Sequence, residues 1–122
     1  MRFQIIILIG LTMSIFSCNQ EESNLETIKY YVSWGGYSIP KKPQQEIDIA
    51  EIDNYSTYHK AYYKGKLLVK FEKYIDGKLD WSDEYIYWEN SKKLKMHILV
   101  NALGEKRIHS YSKQGKQLPN EN

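Results

Sequence analysis

Leu94-Lys95-Met96-His97-Ile98-Leu99-Val100-Asn101-Ala102-Leu103-Gly104-Glu105-Lys106-Arg107-Ile108-His109 is the stretch that decides the fold. Leu94, Met96, Ile98 and Val100 alternate with Lys95 and His97, the period of two that marks a half-buried strand. Ala102-Leu103-Gly104 suits a three-residue hairpin loop with its glycine in the left-handed conformation. Such a loop sets Asn101 opposite Glu105, and so Ile98 opposite Ile108 and His97 opposite His109. One hairpin therefore proposes both a register and a buried face.

The same logic extends upstream. A four-residue loop at Glu89–Lys92 pairs Tyr87 with Leu94 and Tyr85 with Met96, which keeps the apolar face continuous. Leu67, Val69, Phe71 and Ile75 then have to meet Leu79, Trp81 and Tyr85. That requires an odd-length loop at Asp76–Lys78, not the two-residue type I′ turn usual for Asp-Gly. Turn signals recur at Gly65-Lys66, Gly77-Lys78, Asn90-Ser91-Lys92, Gly104 and Gly115-Lys116. They predict strands over roughly 28–34, 57–63, 67–75, 79–88, 94–100 and 107–112. Residues 44–54, after Pro43, read as a short helix. The expected fold is mainly β: one small domain, an antiparallel meander of about five or six strands with one short helix. Its apolar face (Leu67, Val69, Phe71, Trp81, Tyr85, Met96 and Ile98 among others) needs a cover. Segment 28–55 or a curling of the sheet on itself would provide it.

Composition narrows the function classes. The 122 residues make room for one domain, and 11 Tyr stand against a single Cys. One cysteine excludes an internal disulfide framework and a Cys-based zinc site. A net charge of +2 leaves no electrostatic footprint for nucleic acid. The charge is uneven: residues 19–56 hold 3 basic and 7 acidic groups, and residues 57–122 hold 13 and 8. The two parts are expected to attract one another.

The N-terminus explains the lone cysteine. Met1-Arg2 precedes an apolar run from Phe3 to Phe16, too short for a span of about 20 residues and suited to a secretory signal. Ile15-Phe16-Ser17-Cys18 resembles the lipobox of bacterial lipoprotein signal peptides, with Phe16 in place of the usual small residue. That resemblance implies cleavage before Cys18, acyl chains on Cys18 and an outer-membrane anchor in the cell envelope. Gln20-Glu21-Glu22 is similar to the acidic signals that send some bacterial lipoproteins to the cell surface. The expected organisation is a signal over 1–17, a lipidated tether over 18–27, a β domain over 28–116 and a disordered tail over 117–122.

Within the domain, the aromatic-x-x-Gly-Lys rhythm from Tyr63 to Lys116 is similar to the MORN-like repeats of small bacterial antitoxin and immunity proteins. Asn90-Ser91 replaces the usual glycine turn in one unit. The order Tyr31-x-Ser33-x-x-Gly36-x-x-x-Pro40, Tyr58-x-x-Ala61-Tyr62, Gly77-Lys78 and Glu84-Tyr85-x-Tyr87 also resembles an uncharacterised small bacterial domain family. Neither resemblance supplies catalytic residues.

No phosphate loop, nucleophile elbow or HExxH helix is present in the sequence. The strand register places Glu84, His97 and His109 in one row, a set that could ligate a transition metal. A solvated polar row is the commoner meaning of such an alternation, so no metal or other cofactor is expected. The acid pairs Glu51/Asp53 and Asp83/Glu84 have glycosidase-like spacing, but a domain this small lacks the depth for such a cleft. Lys41-Lys42 reads as ordinary turn charge. Trp34-Gly35-Gly36-Tyr37 fits either a tight turn with inward rings or a ligand-stacking loop. Tyr30-Tyr31 and Tyr62-Tyr63 put one ring on each face of a strand, making Tyr31 and Tyr62 further candidates for a binding surface with Trp34 and Tyr37. The expected activity is non-catalytic binding of an envelope or extracellular protein or glycan; the alternative is an immunity protein that neutralises a cognate toxin.

Overall fold

The computed structural model describes residues 26–120. The expected signal over 1–17, Cys18 and most of the expected tether lie outside them. Seven strands form one antiparallel sheet: β1 (Glu26–Gly35), β2 (Lys42–Ile47), β3 (Thr57–Lys64), β4 (Leu67–Ile75), β5 (Lys78–Tyr87), β6 (Leu94–Asn101) and β7 (Lys106–Ser110). They lie in the order β2-β1-β3-β4-β5-β6-β7, a meander except that β2 takes the edge outside β1. The expected helix over 44–54 is divided between β2 and a 3-10 helix, Ile49–Asn54. Asp48 caps that helix by accepting the Ala50 N–H at 3.2 Å. Ile47, 5% exposed and opposite Tyr30, ties the strand portion to the sheet. An edge position also tolerates Pro43, which has no N–H to give to a further strand. Beyond β7, Tyr111 bridges Gln117, and the Leu118 N–H donates to the Ser110 carbonyl at 2.8 Å. The start of segment 117–122 thus returns to the sheet.

The deciding hairpin forms as read. His97 faces His109, Ile98 faces Ile108, the Asn101 N–H donates to Glu105 O, and Gly104 has φ +81°. Tyr87 also meets Leu94. Tyr85, however, faces His97 and not Met96, because Lys95 is an extra residue bulged out of β6. Asp76-Gly77 makes a two-residue turn with both φ positive, as type I′ requires, and not the odd-length loop that the faces demanded. An extra residue at Asp80 in β5 then restores the match, so that Phe71 and Trp81 still share a face. A third bulge sits at Val69 in β4. Three neighbouring strands therefore each carry one extra residue, and such bulges strengthen local twist.

The Lys95 bulge reverses the expected face of β6. His97 (3% exposed) points inward, while Ile108 (45% exposed), in the row with Ile98, belongs to the outer face. The inner face holds Ala61, Leu68, Phe71 and Tyr85, flanked by Tyr31, Tyr63, Trp81, Tyr87 and Leu94. Ala61 lies directly opposite Phe71, and both are fully buried, so a small side chain makes room for a buried ring.

The cover is the β1–β2 hairpin. Pairing of β1 with β3 ends at Tyr31 and His59, whereas pairing of β1 with β2 continues to Gly35 and Lys42. The free end of the hairpin folds over the inner face and brings Trp34 to within 6.4 Å of Trp81 on β5, ring to ring, at 85°. Gly36, at φ +76°, makes the bend that a side chain would resist.

Candidate functional site

The folded-over hairpin delivers Lys41 to the inner face. Its ammonium lies over the rings of Trp34 and Trp81, 5.1 and 4.9 Å from their centroids, and pairs with Asp83 Oδ2. Its backbone N–H donates to the Tyr85 hydroxyl at 3.2 Å, and that hydroxyl donates to Asp83 Oδ2 at 2.9 Å. His97 Nε2 stands 3.3 Å from the same oxygen, within ion-pair reach but without hydrogen-bond geometry. The His97 ring stacks on Tyr85 at 5.1 Å and tilts toward His109 at 6.1 Å. Asp83 is only 2% exposed, and burial pushes its carboxyl up; His97, Lys41 and Tyr85 outweigh burial and hold it below the usual range. Tyr85 is raised, first by burial and then by the Asp83 charge. Asp83 is thus a carboxylate kept ionised by the groups gathered around it.

Beside this pair opens a cleft of about 310 Å³ lined by Trp34, Lys41, Trp81, Asp83, Leu99 and Asn101. Its surface is mainly apolar, with the Lys41–Asp83 pair at one end. Few oriented polar groups in an apolar cleft is the usual composition of a binding site.

His59 supports the cleft from beneath. It stacks on Phe71 at 5.3 Å and touches Trp81 at 5.9 Å. Nδ1 lies 3.2 Å from the Val32 carbonyl. A carbonyl only accepts, so Nδ1 carries the proton, while Nε2 is buried without a partner. Burial above all, and then the Lys73 charge, hold His59 below its ordinary 6.5. A histidine depressed on folding leaves the unfolded chain binding more protons just below that value. Its stabilising effect is therefore complete above pH 6.5 and is lost as pH falls through the folded value. Asp83, also depressed, adds a second loss below the ordinary carboxylate range. Denaturant midpoints measured from about pH 8 down to about pH 4 should fall, and His59→Phe should flatten the upper limb. An unaltered slope in that variant would show that the loss begins elsewhere.

The residues singled out in the sequence are dispersed. Trp34 walls the cleft, and Tyr37, on the turn between Trp34 and Lys41, is fully exposed. Tyr31 is half-buried, with its hydroxyl 3.2 Å from that of Tyr63, so it packs inward. Tyr62 lies on the outer face and donates to Glu72 Oε1 at 2.6 Å. Glu84 sits opposite Lys70 and Ile98, on the face away from His97. The expected row of Glu84, His97 and His109 is therefore not assembled, because the Lys95 bulge brings Tyr85 opposite His97 and leaves Asp83 to reach it. Among the described residues no group of three His, Cys, Asp or Glu side chains is placed to hold a metal ion. Asp83 and Glu84 point to opposite faces, and Glu51 and Asp53 are exposed on the 3-10 helix.

In the sequence Lys41 reads only as turn charge and Asp83 only as half of an acid pair. A signal for Asp83 did exist: it alternates with Trp81 and Tyr85, and so shares their face. Lys41 comes from the acidic part and Asp83 from the basic one, so the buried pair that joins them runs against the regional charges.

No curated protein and no solved structure matches the chain. The family described as DUF6156, of unknown function, matches residues 23–120, a span that contains the whole sheet, and the chain belongs to that family.

Proposed function

We propose that the protein is a bacterial lipoprotein held at the outer membrane by acyl chains on Cys18. In this reading its sheet is a non-catalytic binding module for an envelope or extracellular protein or glycan, engaged at the Trp34–Trp81 cleft. One observation carries the binding reading: a solvent-open cleft walled by Trp34 and Trp81, with Trp34 and Lys41 bounding a turn that holds Tyr37 wholly in water. Exposed Trp and Tyr rings beside oriented charge supply most of the energy at recognition surfaces. Asp83 favours binding over hydrolysis, because Lys41 already matches its charge. The anchor is supported by the apolar run from Phe3 to Phe16 and by Ser17-Cys18. No helix among the described residues is long and apolar enough to cross a membrane.

Two variants test the reading. Cys18→Ala should move the protein out of the membrane fraction, and retention there would overturn the anchor. Immobilised envelope polysaccharide and surface-protein fractions should bind wild type, and Trp34→Ala/Tyr37→Ala should bind about 30-fold more weakly, as for truncated hot-spot aromatics. Equal binding by that variant would show that the partner does not engage the cleft.

A further inference from the structure

The cage around Lys41 has the construction of a receptor site with its ligand in place. Two indoles stand nearly perpendicular, at 85°, and present their rings to one ammonium from two sides. Asp83, 2% exposed, closes the third side. Paired aromatic faces with a carboxylate are the arrangement that recognises ammonium groups, through the ring quadrupole and direct charge. The Lys41 side chain is itself 12% exposed, so it is largely withdrawn from water. The turn before it is not: Gly36, Tyr37, Ser38 and Ile39 are all exposed. Among the described residues, the polar contacts between this turn and the sheet are made by Lys41, through its N–H to Tyr85 and its ammonium to Asp83.

We infer that this cage is a site for an organic ammonium group, occupied in the free protein by the chain's own Lys41 and yielded to a lysine side chain of a protein partner. The inference rests on the cleft being the binding site. Charge decides the ligand class. A neutral or anionic group entering the cage would leave Asp83 buried and unmatched, a state that proteins avoid. A bare metal cation would lack the apolar body that two indoles favour. The turn that carries Lys41 points to a protein as the source of the ammonium: between Trp34 and Lys41, which both line the cleft, Tyr37 and Ile39 expose 106% and 42% of their surface. Such a turn gives a protein partner apolar contacts that a small cation lacks. These contacts matter because the tethered Lys41 competes at an effective concentration of about millimolar or more.

The test titrates the Lys41→Ala protein and the wild type with n-butylammonium, with n-butanol as the neutral control, following tryptophan fluorescence and the thermal midpoint. If Lys41 fills the cage for most of the time, its removal should strengthen butylammonium binding about tenfold or more. Adding Asp83→Asn should abolish that gain, and butanol should not reproduce it. Should Lys41→Ala be unfolded by itself, butylammonium is expected to refold it, and failure to do so overturns the inference. So does binding no tighter than wild type, binding indifferent to Asp83→Asn, or equal binding of butanol. A lysine-bearing peptide should bind wild type better than its acetyl-lysine counterpart and better than glucosamine. Preference for glucosamine would overturn the protein partner in favour of an amino sugar. Envelope ligands lost in Trp34→Ala/Tyr37→Ala but indifferent to butylammonium would reject the ammonium inference and keep the cleft. Butylammonium binding without any envelope ligand would do the reverse.

Discussion

Lys41→Ala is expected to lower the stability of the domain by about 3–5 kcal/mol, the cost of leaving a buried charge without its partner. The reason is Asp83, 2% exposed, whose carboxylate would keep only the Tyr85 hydroxyl and the offset His97 nitrogen. A loss of that size is a large part of the roughly 5–15 kcal/mol that holds a small domain together. It corresponds to a fall in thermal midpoint of more than about 10 °C for a domain of this length. The double variant Lys41→Ala/Asp83→Asn should be less destabilised than the sum of the two single changes, because the second change removes the orphaned charge. Thermal unfolding of the four proteins closes the cycle. Additive losses would mean that the two side chains do not act as a pair.

Phe71→Ala should cost about 3–5 kcal/mol for a different reason, the cavity left in a packed interior. Phe71 is fully buried, meets Ala61 across β3, stacks on His59 and touches Trp81 at 5.9 Å. Its removal takes the floor from under the wall of the cleft as well as from the core. Ile108→Ala on the outer face, where the side chain is 45% exposed, should cost less than about 1 kcal/mol. Urea unfolding of the two variants side by side distinguishes the faces. Equal losses would contradict the assignment of the inner face to Phe71.

The contrast between those two residues also shows where the sequence could be read and where it could not. Six of the seven strands and the hairpin at Ala102-Leu103-Gly104 follow from alternation and turn chemistry alone, because both are local properties. The bulges at Val69, Asp80 and Lys95 do not. Each adds one residue to one strand, and one residue reverses every face beyond it. Demanding a continuous apolar face puts Met96 inside and His97 outside, whereas β6 buries the histidine and turns the row through Ile98 and Ile108 to the outer face. The Asp76-Gly77 turn illustrates the same physics from the other side: the motif held, and the bulge absorbed the mismatch. β2 escaped notice because an edge strand containing Pro43, and Gln45 at φ 59°, carries no alternating signal.

The site was less legible than the fold, since it is made by a contact across the sheet and not along it. Trp34 and Tyr37 were visible as aromatics around a glycine pair. Lys41 acquires its meaning only when the β1–β2 hairpin outruns its pairing with β3 and closes over Asp83. Nothing local in Lys41-Lys42 distinguishes a latch from solvated turn charge.

The most direct test of the caged ammonium is the proton chemical shift of the Lys41 ε-methylene group in wild type and in Trp81→Ala. With the ammonium over both indoles, ring currents should move those protons upfield of the position of free lysine, and Trp81→Ala should return them most of the way. Lys41 ε-protons at the free-lysine position in the wild-type protein would contradict the cage, and with it the site built on it.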